Sequence, residues 1–171
     1  QNMLANLLNW ARSQQGGIKI QKTNLNITAI INNLVSSYKL LAKKKSITID
    51  VKADTELYFS IDKFVFETII GNILTNAIKF SFDNAIIILS AIKAEQNLII
   101  RIKDFGKGIT EEEINLILNS DSTFTTEGTN NEKGLGLGLK ICKELITLHG
   151  AKLQIESSPN DGSTFIVKFY N

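Results

Sequence analysis

Apolar residues recur along this chain with two periods, and the helical one is clearest over residues 62–81, DKFVFETIIGNILTNAIKFS. At roughly 100° per residue, Phe66, Ile69, Ile70, Ile73 and Ala77 share one side, the pattern of a core-facing helix. Asn72, Asn76 and Lys79 form a second, polar stripe beside the core side rather than opposite it. Asparagine is a mediocre helix former. Two of them in mid-helix therefore predict either the wall of a polar pocket or a half-exposed polar edge. Asp62 is suited to cap the start of this helix.

The other elements follow from the same periodicities. Leu4, Leu7, Leu8 and Ala11, with Trp10 beside them, predict a short helical stretch that ends at Gly16-Gly17. Such a stretch is too short to be stable alone. Residues 18–21 are expected to form a first strand, and Asn24-Leu25-Asn26 to cap a long amphipathic helix from Ile27 to Leu41. Lys43-Lys44-Lys45 reads as its solvated C-terminal end. Ile47, Ile49 and Val51 alternate as a strand, residues 57–61 make another, and 85–94 and 98–103 are β-branched runs expected to pair as a hairpin. Residues 111–118 predict a short helix, and 120–133 a polar loop. A helix starting within 134–138 ends at Gly150, and 153–156 and 164–169 alternate as the last strands around a turn at 158–162. Three main helices on one face of a mixed or antiparallel sheet of about five strands make an α+β, two-layer sandwich.

Composition narrows the classes. The chain has 171 residues with 43% hydrophobic and 21% charged, enough for one domain with a sizeable core plus a short appendage. A net charge of +2 is too near neutral to argue for a nucleic-acid partner or an anionic membrane. One cysteine, Cys142, excludes an internal disulfide and sits in an amphipathic pattern as a small buried hydrophobe. The chain opens in mid-pattern at Gln1, without an initiator methionine, as expected for a piece of a longer protein.

Two glycine-bearing segments carry candidate chemistry. DFGKGI at 104–109 follows a strand, and its glycines permit close approach of backbone to ligand, while Asp104 can accept a hydrogen bond from an exocyclic amine; a simple turn would also explain it. GLGLGL at 134–139 opens a helix. Three alternate glycines would cost about 1 kcal/mol each inside a helix, but at its N-terminus they leave backbone N–H groups uncovered as an anion site. The spacing is neither a P-loop nor a dinucleotide fingerprint. An Asn side-chain oxygen suits a magnesium ion that is otherwise held by nucleotide phosphates.

In their order, NILTNAIKFS, DFGKGI, FTTEGTNNEKGLGLGL and LHGAKLQIESSPNDGSTFIVKF resemble the ATP-binding catalytic domain of sensor histidine kinases, in the superfamily with gyrase, Hsp90 and MutL. The resemblance runs from about residue 18 to the end and implies the Bergerat ATP-binding fold for 18–171. Residues 1–17 resemble the end of the second helix of the dimerisation and phosphoacceptor hairpin. By resemblance, Asn76 is the main magnesium ligand and Asn72 a second contact to metal or phosphate; both, with Lys79, are the expected catalytic positions. Lys79 contacts phosphate, Phe80 lies against the nucleotide, Asp104 reads the adenine amino group, and Gly106, Gly108 and Ile109 shape its pocket. Gly134, Leu135, Gly136, Leu137 and Gly138 form the phosphate turn, Thr129 and Lys133 are weaker lid candidates, and Phe124 is the lid phenylalanine that docks near the hairpin.

The ATP-hydrolysing relatives place a Glu general base one turn before the metal Asn, where this chain has Asn72, which cannot take a proton from water. The resemblance thus implies a domain that holds Mg-ATP for an outside histidine rather than hydrolysing it quickly. His149 fails as that histidine: it ends a helix before Gly150, where a cation is favourable. The implied partners are the chain's own hairpin, a response-regulator receiver domain and a second copy in a homodimer. The implied setting is the cytoplasmic side of a membrane-anchored parent. The rivals are a gyrase- or Hsp90-like ATPase and a non-catalytic partner-binding module.

Overall fold

The computed structural model describes residues 19–120, 125–132 and 136–171. Its elements run β1 (Thr23–Asn26), α1 (Ile27–Lys43), β2 (Thr48–Ala53), β3 (Tyr58–Ile61), α2 (Lys63–Phe80), β4 (Ile86–Ala94), β5 (Asn97–Asp104), α3 (Glu111–Asn119), α4 (Leu137–His149), β6 (Lys152–Ser157) and β7 (Ser163–Tyr170). The two long early helices start where side-chain oxygens meet otherwise orphaned amides. Asn26 Oδ1 accepts from the Ala29 N–H at 3.0 Å, and Asp62 Oδ1 from the Val65 N–H at 3.0 Å. α3 begins with a full capping box: Thr110 Oγ1 accepts from the Glu113 N–H at 3.2 Å, and Glu113 Oε2 accepts from the Thr110 N–H at 2.9 Å. Gly150 ends α4 in the left-handed region at φ 72°.

The main sheet has the order β2-β4-β5-β7-β6. β2 pairs parallel with β4 and every other pairing is antiparallel, so the sheet is mixed. Alternate residues of three central strands are buried on one face: Ile87, Leu89 and Ala91; Leu98, Ile100 and Ile102; Phe165, Val167 and Phe169. α2 lies over β5 and is flanked by α1 and α4, with α1 also over β2 and α4 beside β6. This is the expected α+β sandwich.

α2 is buried over a wider arc than its stripe predicts. Val65, Gly71, Leu74 and Ile78 join the expected Phe66, Ile69, Ile70, Ile73 and Ala77, because a helix covers α2 on each side. Gly71 belongs to that packing: a Cβ there would stand 2.8 Å from the Tyr38 hydroxyl of α1. Each fully buried Ile, Leu or Phe contributes roughly 1.5–3 kcal/mol, so α2 is the densest part of the core.

Five expectations need correction or fall outside the described residues. Strand pairing begins at Thr23, not within 18–21: β1 forms a separate antiparallel ribbon with β3, while residues 19–22 are unpaired and the Gln21 N–H bonds to Asp62 Oδ2 at 2.8 Å. Lys45 is not a solvated helix end; only 5% exposed, it turns inward beneath α2. His149 is no helix-end cation. It is buried edge-on against Phe169, and burial, with the Lys22 cation adding and Asp62 opposing, holds its pKa below the ordinary 6.5. The helical stretch carrying Leu4, Leu7, Leu8 and Trp10, and Phe124, lie outside the described residues.

Candidate functional site

A cavity of about 250 Å³ opens along the polar stripe of α2. Asn72, Thr75, Asn76, Lys79 and Phe80 form one wall; Asp104, Lys107, Gly108 and Ile109 after β5 form another. Glu113 and Ile117 of α3, Thr125 and Thr126, Gly136, Gly138 and Leu139 at the start of α4, and Ser163 and Phe165 of β7 complete it. The polar stripe is therefore a pocket wall, not a tolerated surface edge.

Asp104 is fixed at the end of β5. Its Oδ1 accepts the Gly106 N–H at 3.0 Å and the Ser163 N–H at 3.2 Å, and the residue is 2% exposed. Burial raises its pKa to about 6, against the opposing pull of the two amides. The glycines around it permit this closeness. A Cβ on Gly106 would run into the Phe80 carbonyl oxygen, and one on Gly162, at φ 76°, into the Asp104 carbonyl oxygen. Gly162 is thus more than a turn residue: it lets the β6–β7 connection close over the aspartate.

Phe80 ends α2 between two cations. Lys79 Nζ lies 4.7 Å and Lys107 Nζ 5.0 Å from its ring centroid. Both ammonium groups are engaged by the loop that follows: Lys79 Nζ donates to Thr126 O at 2.8 Å, and Lys107 Nζ to Glu127 O at 2.7 Å. Burial holds the Lys79 pKa below the usual lysine range, Glu132 opposes that shift, and Lys107 reinforces it.

Asn72 Nδ2 donates to Thr68 O at 2.9 Å, and its Oδ1 would lie 3.0 Å from a Cβ built on Gly138, so only glycine leaves room there without displacing the carboxamide. Cys142 lies nearby on α4, its thiol donating to Ile69 O at 3.7 Å, and burial raises its pKa to about 12. The N-cap of α4 is Gly136, at φ 69°, which has no side chain of its own to cap the first amides, an arrangement open to an anion.

Among expected site residues, Asn72, Asn76, Lys79, Phe80, Asp104, Gly108, Ile109, Gly136 and Gly138 line the one cavity. Gly106 supports Asp104 from behind, and Leu137 packs on the core. Thr129 sits beside the site with its hydroxyl donating to Ser81 O at 2.6 Å and accepting from Lys45 Nζ at 2.6 Å. Lys133, Gly134 and Leu135 lie outside the described residues. Sequence reasoning missed Lys107, Glu113, Thr126 and Ser163. Lys107 stood inside the first glycine segment and could have been found there; Ser163 is legible only once β5 and β7 are paired.

The residues fit a nucleotide with a hard metal ion. A fixed buried carboxylate suits an exocyclic amine, uncapped amides and cations suit phosphate, and paired carboxamides supply neutral oxygen ligands. Among the described residues no group of three or more His, Cys, Asp or Glu could hold a metal without such a partner. No helix there is long and apolar enough to cross a membrane.

Comparison with known proteins agrees with this architecture. Residues 61–170 match the family described as histidine kinase-, DNA gyrase B- and HSP90-like ATPase, and the chain belongs to that family. It is 28% identical over 163 residues to the sensor protein KdpD of Clostridium acetobutylicum, covering 95% of this chain and 18% of that protein. The nucleotide-free catalytic domain of the histidine kinase ThkA is 26% identical and superposes with a TM-score of 0.74, covering 88% of this chain and 95% of that one. The same fold recurs in full-length ShkA in complex with AMPPNP, at 20% identity and a TM-score of 0.81, covering 98% of this chain and 35% of that one. It recurs again in ThkA in complex with the response regulator TrrA, at 21% identity and a TM-score of 0.75, covering 99% of this chain and 48% of that one. The chain spans 14% to 29% of the length of such curated relatives. In fold and extent it is similar to the catalytic domains of histidine kinases.

Proposed function

We propose that this domain binds ATP with magnesium and presents the γ-phosphate to a histidine on an upstream hairpin. The observation that carries the reading is the single cavity that joins Asp104 to Asn76, Lys79 and the uncapped start of α4. Asp104 would accept the adenine amino group, while Phe80, Gly108 and Ile109 shape that end of the pocket. Lys79, Gly136 and Gly138 would meet the phosphates, with Gly134, Leu135, Leu137, Lys133 and Thr129 as further candidates around the turn. Asn76, with Asn72, would hold magnesium, which when bound supplies charge neutralisation at the phosphates. Catalysis then rests on positioning and electrostatic stabilisation rather than on a protein nucleophile.

Slow hydrolysis without the acceptor follows from the carboxylates available. Asp104 and Glu113 line the cavity among the described residues, and each has an oxygen held by backbone amides. Asn72 and Asn76 cannot act as a base for water. Residues 1–17 as the end of the hairpin, dimerisation through it, a receiver-domain partner and a membrane-anchored parent belong to the same proposal. The TrrA complex of ThkA and the AMPPNP complex of ShkA support the partner and the nucleotide by analogy.

The test is calorimetric titration of ADP and a non-hydrolysable ATP analogue, with and without magnesium, on the wild type and Asn76→Ala. Magnesium-dependent binding that the variant loses is expected. A wild type that binds no nucleotide at millimolar concentration would leave the non-catalytic module in front, and rapid hydrolysis would favour the ATPase.

A further inference from the structure

The buried ammonium of Lys45 lies outside the cavity and takes no part in the roles above, yet it touches both structures that bound the site. Lys45 follows α1, and its backbone is fixed on both sides: its N–H donates to Ala42 O at 3.1 Å and its carbonyl accepts from the Asn84 N–H at 2.8 Å. From there the side chain passes beneath the end of α2. Its Nζ donates to Ile78 O at 3.2 Å and Lys79 O at 2.9 Å, carbonyls left without helical partners by the end of α2. The same atom reaches Thr129 Oγ1 at 2.6 Å and Glu132 Oε1 at 3.1 Å in the segment 125–132, whose Thr125 and Thr126 line the cavity.

That segment is fastened at the same place by its backbone. The Thr129 N–H donates to Lys79 O at 3.2 Å and the Gly128 N–H to Glu132 O at 3.0 Å. Gly128 fits only as glycine, since a Cβ would strike Glu132 Oε2 and come within 2.8 Å of Lys79 Cγ. Residues 128–132 thus form a closed knot around one ammonium. Residues 126 and 127, by contrast, are held through Lys79 and Lys107, whose side chains face the cavity.

We propose that Lys45 is a positioning residue for nucleotide binding: it ties the end of α2, and so Lys79 and Phe80, to the root of the 125–132 segment at 128–132. Nucleotide phosphate can then take over the Lys79 and Lys107 ammonium groups from Thr126 O and Glu127 O while the root stays in place. The inference rests on the nucleotide reading of the cavity for its functional part only. An ammonium suits this role because three N–H groups radiate from one atom and can gather acceptors from two elements. A methionine of similar length would leave Ile78 O and Glu132 Oε1 without the ammonium donor, while Lys79 O would keep only its bonds from Thr129.

The test uses the whole 171-residue chain as Lys45→Met, Lys45→Arg and wild type. Affinity for ADP and a non-hydrolysable ATP analogue is measured by calorimetry at a temperature where urea titration shows every variant folded. Amide hydrogen exchange is followed at Gly128 and Thr129. Lys45→Met is expected to weaken nucleotide binding by about tenfold or more, from the loss of charged hydrogen bonds. It should also speed exchange at those two amides relative to the β5 and β7 amides, and Lys45→Arg should restore part of both. Unchanged affinity in folded Lys45→Met, or unchanged exchange at Gly128 and Thr129, would overturn the proposal. If the wild type itself binds no nucleotide, the functional reading fails, while the exchange comparison still decides whether Lys45 fixes the segment.

Discussion

Replacing Asp104 by Asn separates the cost of the site from its use. Asn keeps an oxygen for the Gly106 and Ser163 amides and removes only the charge. The wild-type carboxyl has its pKa raised by burial from 3.8 to about 6, despite those amides. At 1.36 kcal/mol per unit, the charged form costs the fold about 3 kcal/mol above pH 7. The residue is 2% exposed, so solvent screening removes little of this. The sign follows from the raised folded value. As pH falls through 6, the folded state takes up a proton that the unfolded chain does not yet bind, so the penalty shrinks; it is gone once pH is well below 3.8. Asp104→Asn is therefore expected to be more stable than wild type by about 3 kcal/mol at pH 7.5, about 1.5 at pH 5 and about 0.5 at pH 4. At neutral pH that corresponds to a rise in Tm of about 6–12 °C. Urea titrations of both proteins at each pH give the difference directly, and effects of other groups, His149 included, cancel in it. Nucleotide affinity should fall in the same variant. Equal or lower stability at pH 7.5, or a gain that does not change with pH, would refute the reasoning.

Further outcomes follow from other parts of the structure. Gly162→Ala forces a side chain into the left-handed region and against the Asp104 carbonyl, and should lower the unfolding free energy by about 2 kcal/mol or more in a urea titration, with nucleotide affinity falling too. The buried imidazole of His149 resists the proton that the unfolded chain accepts, so wild-type stability should carry a loss that grows as pH falls below 6.5. In His149→Leu that loss should vanish, measured as the wild-type-minus-variant difference between pH 7.5 and 5. The Cys142 thiol, buried and raised to about 12, should resist a thiol reagent in the native protein and react promptly in urea.

Much of the frame was legible in the sequence because it follows local rules. The stripe of α2, the Asp62 cap, the alternation of β4, β5 and β7, and Gly150 as a terminator each depend on residues near one another in the chain. Asn72, Asn76, Asp104 and the α4 glycines were singled out because their types are costly where they stand unless something uses them. What escaped depends on distant partners. Nothing local separates Lys45 from Lys43 and Lys44; only the turn at Ser46, φ 53°, and the docking of α2 bring it inward. The first strand was misplaced by a few residues because β1 exists only through its pairing with β3. His149 reads as a helix-end cation from its neighbours alone, because its burial against Phe169 is a property of the assembled sheet.

The parallel pairing of β2 with β4 has a kinetic consequence. Thr48 and Ile86 are partners in register, and everything between them, including α2 with its asparagines, forms one long crossover. The β4–β5 ribbon needs only a tight turn, so it can form early, whereas β2 can join only after the whole crossover loop has closed. The β5–β7 pairing, from Asp104 with Ser163 to Asn97 with Tyr170, spans still more of the chain, and the cavity, lined by residues of both strands, matures with it. Weakening the β5–β7 register, for example at Val167, should slow acquisition of ligand-binding competence far more than it slows formation of the β4–β5 ribbon.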